Sequence, residues 1–347
     1  MPFTDLPQPF VRAECIASGV SGRVLDRSLA RGHLTRIAPG LYAVASHWEG
    51  RPPWDRHLAL ARTAVRTTPD AIVSHSSAAA LLGLPMPPRP PQRATLTLLD
   101  DRRTSQDDGW RRFHRGRTPP DQVVLSGGHP YLVPSRTVLD CVRDMHPRDA
   151  LAVVDAALRR GVATGPDLLK MRRHQRRWPG IAVADQVLRL GDGRRESWFE
   201  SASAWVMSSW GIPAGIPQVV VRDPHGRVVA RVDVLWPELG LVGEADGRGK
   251  YLLEPSSNRP AEEAAALAVI DQERREDHLR DLGLGVLRWD PADLTQPLAL
   301  VERFHAASGR GRPDAVTARF ECSCCRRPLT HCGSPTRIAH LGTRKGG

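Results

Sequence analysis

Apolar positions along the chain fall into stretches of different rhythm. Phe10, Val11, Cys15 and Ile16 have helical spacing, and Gly19 ends that run. Ser21 can cap a second helix carrying Val24, Leu25 and Leu29, stopped at Gly32. Leu34, Ile37 and the run Gly40 to Val44 then read as a short hairpin. From residue 50 to 190 helical periods dominate: Trp54 to Val65, the Ala-rich run Ser74 to Leu82, a helix opened by Pro134-Ser135-Arg136-Thr137, and Ala150 to Leu158. Ala94 to Leu98 alternates as a strand does, and Arg102 to Arg117 reads as an arginine-rich loop. After Gly191 to Gly193, an amphipathic helix runs from Glu196 to Trp210. Strand-like segments follow at Gln218 to Arg222, Val228 to Trp236 and Leu241 to Asp246, the first two joined by the turn Asp223-Pro224-His225-Gly226. A long helix from Ala261 to Leu282, Gly283 and a last strand, Gly285 to Trp289, complete the order α-β-β-β-α-β.

These patterns predict a multi-domain α+β protein. Two short helices, a tight turn and a β wing over 1–48 match a winged helix-turn-helix. A mostly helical middle domain is expected over 49–190, an α/β core ordered like a small nuclease over 191–302, and a flexible Cys-containing tail over 303–347. The second N-terminal helix is the candidate recognition helix; it presents Arg23, Arg27 and Arg31, with Arg36 on the wing. The same arginines also fit a solvated face or a protein-binding adaptor.

Composition narrows the function classes. The chain has 347 residues, 41% hydrophobic and 25% charged, which suits two or three globular domains. No run of roughly eighteen apolar residues occurs, so no membrane partner is expected, and the first residues lack the pattern of a secretory signal. Cys15 and Cys141 lie in apolar segments and the other four cysteines crowd near the C-terminus, so a reducing cytoplasm is expected. A formal charge of +11 points to a polyanion such as double-stranded DNA. Arginine supplies almost all of it, however; the lysines are Lys170, Lys250 and Lys345, an imbalance that a GC-rich genome also produces. Few aromatic residues, 5%, argue against a base-stacking platform for single strands. His75, His114, His129 and His174 are scattered and read as structural or exposed.

The strands carry the candidate chemistry. With Pro237-Glu238-Leu239-Gly240 as the loop, Trp236 faces Leu241, Asp233 faces Glu244 and Arg231 faces Asp246, all four charged side chains on one sheet face. Carboxylates opposed across apolar strands repel unless a cation, a proton or an arginine intervenes. Oxygen ligands of this kind suit Mg²⁺ or Mn²⁺. Pairing of Arg231 with Asp246 is the competing account.

The stretch Val232-Asp233-Val234 with Glu244-Ala245-Asp246-Gly247 resembles the PD-(D/E)xK nuclease superfamily, in its branch akin to very-short-patch-repair endonucleases. Glu200, Pro217-Gln218, Lys250-Tyr251, Arg274-Arg275-Glu276-Asp277 and Val286-Leu287-Arg288-Trp289 support the likeness, which covers 194–295. It implies Asp233 and Glu244 as metal ligands, Glu200 as the group orienting a water or the metal, and hydrolysis of a phosphodiester. The superfamily's usual lysine is replaced by Asp246, and Lys250 is the candidate for the missing positive charge, unless it is an ordinary surface lysine. Gln218 would polarise the water or cap a strand as a buried side chain. Arg274 and Arg275 would contact DNA phosphate. The N-terminal unit, through Arg31-Gly32 and Pro39-Gly40-Leu41-Tyr42, resembles the head of AbiEi-type antitoxins of type IV toxin–antitoxin systems. Ser74 to Leu84, Arg136-Thr137 with Asp140, and Asp155-Ala156-Ala157-Leu158 resemble the middle region that accompanies that head. This likeness implies a regulator with a cognate toxin or another protein partner. An endonuclease or nickase, a non-enzymatic DNA-binding regulator and a protein adaptor through the helical middle are the three resulting expectations.

Cys322 and Cys325 have the two-residue gap that zinc knuckles use, with Cys324, His331 and Cys332 nearby. No second pair stands at suitable spacing, which favours a flexible basic tail.

Overall fold

Phe10 and Val11, expected to open the first helix, form a strand instead. In the computed structural model, which describes residues 3–87, 89–99, 107–246 and 261–331, β1 (Phe10–Val11) pairs antiparallel with β3 (Leu41–Val44), which pairs in turn with β2 (Leu34–Ala38). Phe10 is fully buried, with its ring 5.9 Å from that of Phe3, so sheet pairing and core packing together override helical spacing. The helix α1 therefore starts at Arg12 and runs to Ala17, burying Cys15 and leaving Ile16 55% exposed. The helix α2 (Gly22–Ala30) buries Leu25 and ends before Gly32, whose φ of 70° suits glycine. Ser21 holds the N-cap position without a side-chain hydrogen bond.

The chain is a multi-domain protein of mixed helix and sheet. It divides into two compact units, one built from residues up to Met145 with Lys170–Gly180, the other from His146–Leu169 with the chain from Ile181 on. This division differs from the expected boundary at 190/191. Among the described residues no helix is long and apolar enough to cross a membrane.

In the first unit, α3 (Ala45–Glu49), α4 (Pro53–Thr67), β4 (Ala71–Val73), α5 (His75–Leu81) and β5 (Ala94–Leu98) follow the head. This stretch holds more sheet than its periodicity suggests. The strand β6 (Arg111–His114) pairs parallel with β5, so part of the expected arginine-rich loop is a strand beside the buried Trp110. A hairpin of β7 (Val123–Ser126) and β8 (His129–Leu132) precedes α6 (Pro134–Asp144). The buried Asp140 of α6 accepts from Arg136 Nε (2.8 Å), Arg143 Nη1 (3.2 Å) and Gln175 Nε2 (2.9 Å). Both guanidiniums lie over the Trp178 ring, at 4.6 and 4.8 Å. His75, in a left-handed backbone conformation at φ 49°, stacks on His114 at 3.7 Å, and burial pushes its pKa down to about 4, so it is neutral at physiological pH.

The second unit begins with α7 (Pro147–Arg159) and the first turn of α8 (Gly165–His174), whose residues from Lys170 on belong to the first unit; α9 (Ile181–Leu190) and α10 (Trp198–Ser209) follow. A five-stranded sheet has the order β12-β11-β10-β9-β13, with β9 at Ile216–Arg222, β10 at Val228–Trp236, β11 at Leu241–Ala245, β12 at Gly285–Trp289 and β13 at Arg319–Cys322. The helix α11 (Ala261–Asp281) connects β11 to β12, which lie parallel, as such a crossover requires. One sheet face packs Trp236, Leu241, Leu287 and Trp289 on α10 and α12 (Pro297–Ser308); the other packs Val219, Val232 and Val242 against Leu279 and Leu282. Each fully buried leucine in these layers contributes roughly 1.5–3 kcal/mol. The segment expected as a flexible tail from 303 is thus ordered over much of its described length. Phe304 and Ala307 are buried beneath the sheet, and β13 adds the fifth strand by pairing with β9.

Candidate functional site

The hairpin that was to set two carboxylates face to face has the expected turn. Gly240 takes φ 53°, and Trp236 pairs with Leu241, Leu235 with Val242 and Val234 with Gly243. A Cβ on Gly243 would stand 2.8 Å from the Trp289 ring and 2.9 Å from that of Trp236, so only glycine lets both indoles close there. The ladder ends at this point. The next amide, that of Ala245, donates 2.8 Å to Asp233 Oδ2. The Asp233 carboxylate is thus inserted where the two strands stop pairing, and the ladder does not continue to the expected Arg231–Asp246 partnership.

Opposite Asp233 on β9 stands Gln218, between the pairs Val219–Val232 and Pro217–Val234. Gln218 is buried and its φ is 55°, a left-handed conformation that costs a non-glycine residue about 1–3 kcal/mol. Its amide joins two acids: Nε2 donates to Glu200 Oε2 (2.8 Å) and to Asp233 Oδ1 (3.0 Å), while Oε1 accepts from Arg231 Nε (2.7 Å). Arg231 turns its other end to Glu196, so it serves Gln218 and Glu196 rather than Asp246. Glu200 also caps α10. Ser197 Oγ accepts from the Glu200 amide (3.1 Å) and donates to Glu200 Oε1 (2.8 Å), and the Glu196 amide donates to Glu200 Oε2 (3.0 Å).

On β11, Glu244 pairs in register with Arg288 of β12. Arg288 Nη2 donates to Glu244 Oε2 (2.6 Å), Arg288 Nε to Asp246 Oδ2 (3.0 Å), and Nη1 lies 3.5 Å from Glu276. Arg288 therefore takes the partner role proposed for Arg231. Even so, the Glu244 carboxyl is pushed above its ordinary range, first by burial and then by repulsion from Asp233 and Asp246, with Arg288 and Arg275 only partly offsetting this. A raised acid pKa favours folding below the unfolded value of about 4.3, and that stability is lost as pH rises through the folded pKa. The Glu244→Gln variant is accordingly expected to match or fall below the parent in thermal stability near pH 4 and to gain on it steadily toward pH 7. Melting curves in a pH series check this; a pH-independent difference between the two proteins contradicts it.

The remaining predicted residues are dispersed. Arg23, Arg27, Arg31 and Arg36 are exposed on α2, its C-cap and β2. Arg274 and Arg275 are exposed on α11. Lys250, Gly247 and Tyr251 lie outside the described residues, as do Lys345 and Cys332. The roles of Arg288, Glu196 and Glu276 were missed by sequence reasoning. The available signal was an arginine inside the apolar strand Val286-Leu287-Arg288-Trp289, which demands an acidic neighbour.

The donor set bears on a metal in two ways. Glu244 and Asp233 are the oxygen donors here, and Mg²⁺ commonly takes one or two carboxylates and keeps several waters. Among the described residues, the gathering of three or more potential ligands around one point is sulfur, not oxygen: Cys322, Cys324 and Cys325. The two carboxylates do not form such a cage: both Asp233 oxygens accept hydrogen bonds, from Gln218 and the Ala245 amide, and Glu244 Oε2 accepts from Arg288.

No family model matches this chain. It is 34% identical over 111 residues to the uncharacterized proteins MT2308 and Rv2248, from two strains of Mycobacterium tuberculosis. The match takes in 32% of this chain and 41% of each relative, so the chain spans less than half the length of the relatives it matches.

Proposed function

We propose that this protein binds double-stranded DNA and that its second unit is a PD-(D/E)xK-type, divalent-metal phosphodiesterase that nicks or cleaves the strand. The observation that carries the reading is the Asp233 carboxylate at the end of the β10–β11 ladder, linked through Gln218 to Glu200, with the partly buried Glu244 on the neighbouring strand. The order α10-β9-β10-β11-α11-β12 accords with it. Asp233 and Glu244 would hold Mg²⁺ or Mn²⁺, which supplies charge to the phosphoryl oxygens and acidifies water. Gln218 fixes the orientation of Asp233 and Glu200, Glu200 lies ready to accept a proton from a water aligned on the cluster, and Arg288 limits repulsion between Glu244 and Asp246. The test is nicking of supercoiled plasmid with Mg²⁺ or Mn²⁺ beside an Asp233→Ala control.

DNA would be engaged through a winged helix-turn-helix formed by α1, α2 and the β1-β3-β2 sheet. Arg23, Arg27 and Arg31 recur every four residues and share one face of α2, opposite the buried Leu25. Each phosphate contact adds about 0.9 to the salt slope of binding. Arg27→Ala is expected to weaken duplex binding and lower that slope by roughly one contact's worth; anisotropy titrations over a salt series measure both, and an unchanged slope removes Arg27 from the interface.

A second reading, a non-enzymatic DNA-binding regulator of the AbiEi antitoxin kind with a cognate toxin partner, is favoured by one observation. Arg288 already supplies a cation to Glu244 and Asp246. Binding without cleavage in the plasmid assay selects this reading.

A further inference from the structure

The three sulfur atoms beyond β13 stand apart from the acidic cluster. Cys322, the last residue of β13, is fully buried, while Cys324 and Cys325 are exposed, and their sulfurs all lie within 4.8 Å of one another. The backbone here is a knuckle. The Cys322 amide donates to Arg327 O (2.9 Å), the Arg326 amide returns to Cys322 O (2.9 Å), and Arg326 adopts φ 54°. Pro328 then bridges antiparallel to Glu321, so the chain doubles back on itself immediately after the third cysteine. So tight a turn keeps the three cysteines side by side.

We infer that Cys322, Cys324 and Cys325 form a structural site for a soft, tetrahedral divalent cation of the Zn²⁺ class. The gap between Cys322 and Cys325 is the one that zinc knuckles use. Ligand distances of about 2.3 Å set the sulfurs of a tetrahedral site roughly 3.8 Å apart. The Cys322–Cys324 separation of 2.9 Å must therefore open somewhat. The exposed side chains of Cys324 and its neighbour give that freedom. Each thiol releases its proton to solvent as its sulfur takes the ion. Three thiolates around a dication carry a net negative charge, and the Arg194 guanidinium, itself paired with Asp192 at 2.5 Å, interacts with Cys322 and offsets it. The fourth position is left to water or a further donor.

The site's place in the fold gives it a purpose. Cys322 pairs with Val219, and the Ser323 amide donates to the carbonyl of Gln218 (3.3 Å). The cation would clamp β13 onto β9 at the strained residue whose side chain joins Glu200 to Asp233.

The full chain, purified with reductant and added Zn²⁺, is expected to retain one zinc per chain through gel filtration. Exchange to Co²⁺ should yield the intense near-ultraviolet thiolate charge-transfer band together with tetrahedral ligand-field bands in the visible. Cys324→Ser and Cys325→Ser, both at exposed positions, should each weaken metal affinity by at least the roughly 10–100-fold that loss of a mere outer partner costs, and Cys15→Ser should leave it unchanged. Chelation should lower the melting temperature of the parent and spare the serine variants. Metal-free protein under these conditions, a Co²⁺ spectrum without the charge-transfer band, or zinc content indifferent to both serine variants overturns the assignment. None of these readouts depends on DNA cleavage, so the site stands or falls independently of the proposed activity.

Discussion

Replacing Asp140 by alanine is expected to destabilise the first unit by about 3–5 kcal/mol, the usual cost of removing one member of a buried ion pair. The carboxylate is inaccessible to solvent and accepts from Arg136, Arg143 and Gln175. Arg136 is only 2% exposed at its side chain, so it has no water to turn to when Asp140 is lost. Its other bonds, to Gln122 Oε1 (2.5 Å) and Arg117 O (3.2 Å), are to neutral acceptors. The loss should appear in urea unfolding followed by hydrogen exchange of amides in α6, a probe confined to this unit. The double replacement Arg136→Met with Asp140→Leu removes both charges and should recover more than half of the loss, because apolar groups of similar volume replace buried pairs at little cost. A single variant within about 1 kcal/mol of the parent, the size of an ordinary surface effect, contradicts the burial argument.

Legibility of this fold from its sequence followed the range of the interactions. The strand Val228–Trp236, the strand Gly285–Trp289 and the register Trp236–Leu241 depend on alternation and a four-residue turn, both local, and all three emerge as read. The last step of that register is not made because the Ala245 amide bonds the Asp233 side chain, and the left-handed Gln218 opposite Asp233 on β9 has no signature in sequence. Arg288 was overlooked as a partner of Glu244 because parallel pairing across a long helix joins residues that nothing local associates. Phe10 and Val11 pair as a strand against their helical spacing for the converse reason: two residues are too few for alternation to show. The strand Arg319–Cys322 has four residues, two of them charged, and is recognisable only through β9, against which its backbone pairs. Spacing along the chain pairs only Cys322 with Cys325, whereas the knuckle brings Cys324 in beside them.

Asp233→Ala is expected to lower plasmid nicking by roughly 10³-fold, since a metal ion's charge stabilisation is worth several kcal/mol and each 1.36 kcal/mol is a tenfold change in rate. The residue holds a position no other acid in the cluster holds. Its two oxygens accept from Gln218 and the Ala245 amide on separate sides, which fixes the carboxylate in the opening between strands. Alanine removes the ligand and also frees the Gln218 amide, so a structural collapse could imitate lost chemistry. Asp233→Asn distinguishes the two: it preserves volume and the oxygen that accepts from Gln218 while deleting the charge, at the cost of the bond from the Ala245 amide. If Asp233 acts as a ligand, both variants lose nicking, and Mg²⁺ or Mn²⁺ no longer raises their melting temperature, whereas the parent gains about 2.7 kcal/mol at a hundredfold excess over its Kd. If Asp233 only braces Gln218, the asparagine variant keeps most of its nicking and its response to metal. Duplex binding should survive in both, because the arginines of α2 lie in the other compact unit. A parent protein that binds duplex but neither nicks it nor gains stability from either ion leaves Arg288 as the cation of this cluster, and DNA binding without hydrolysis as the function.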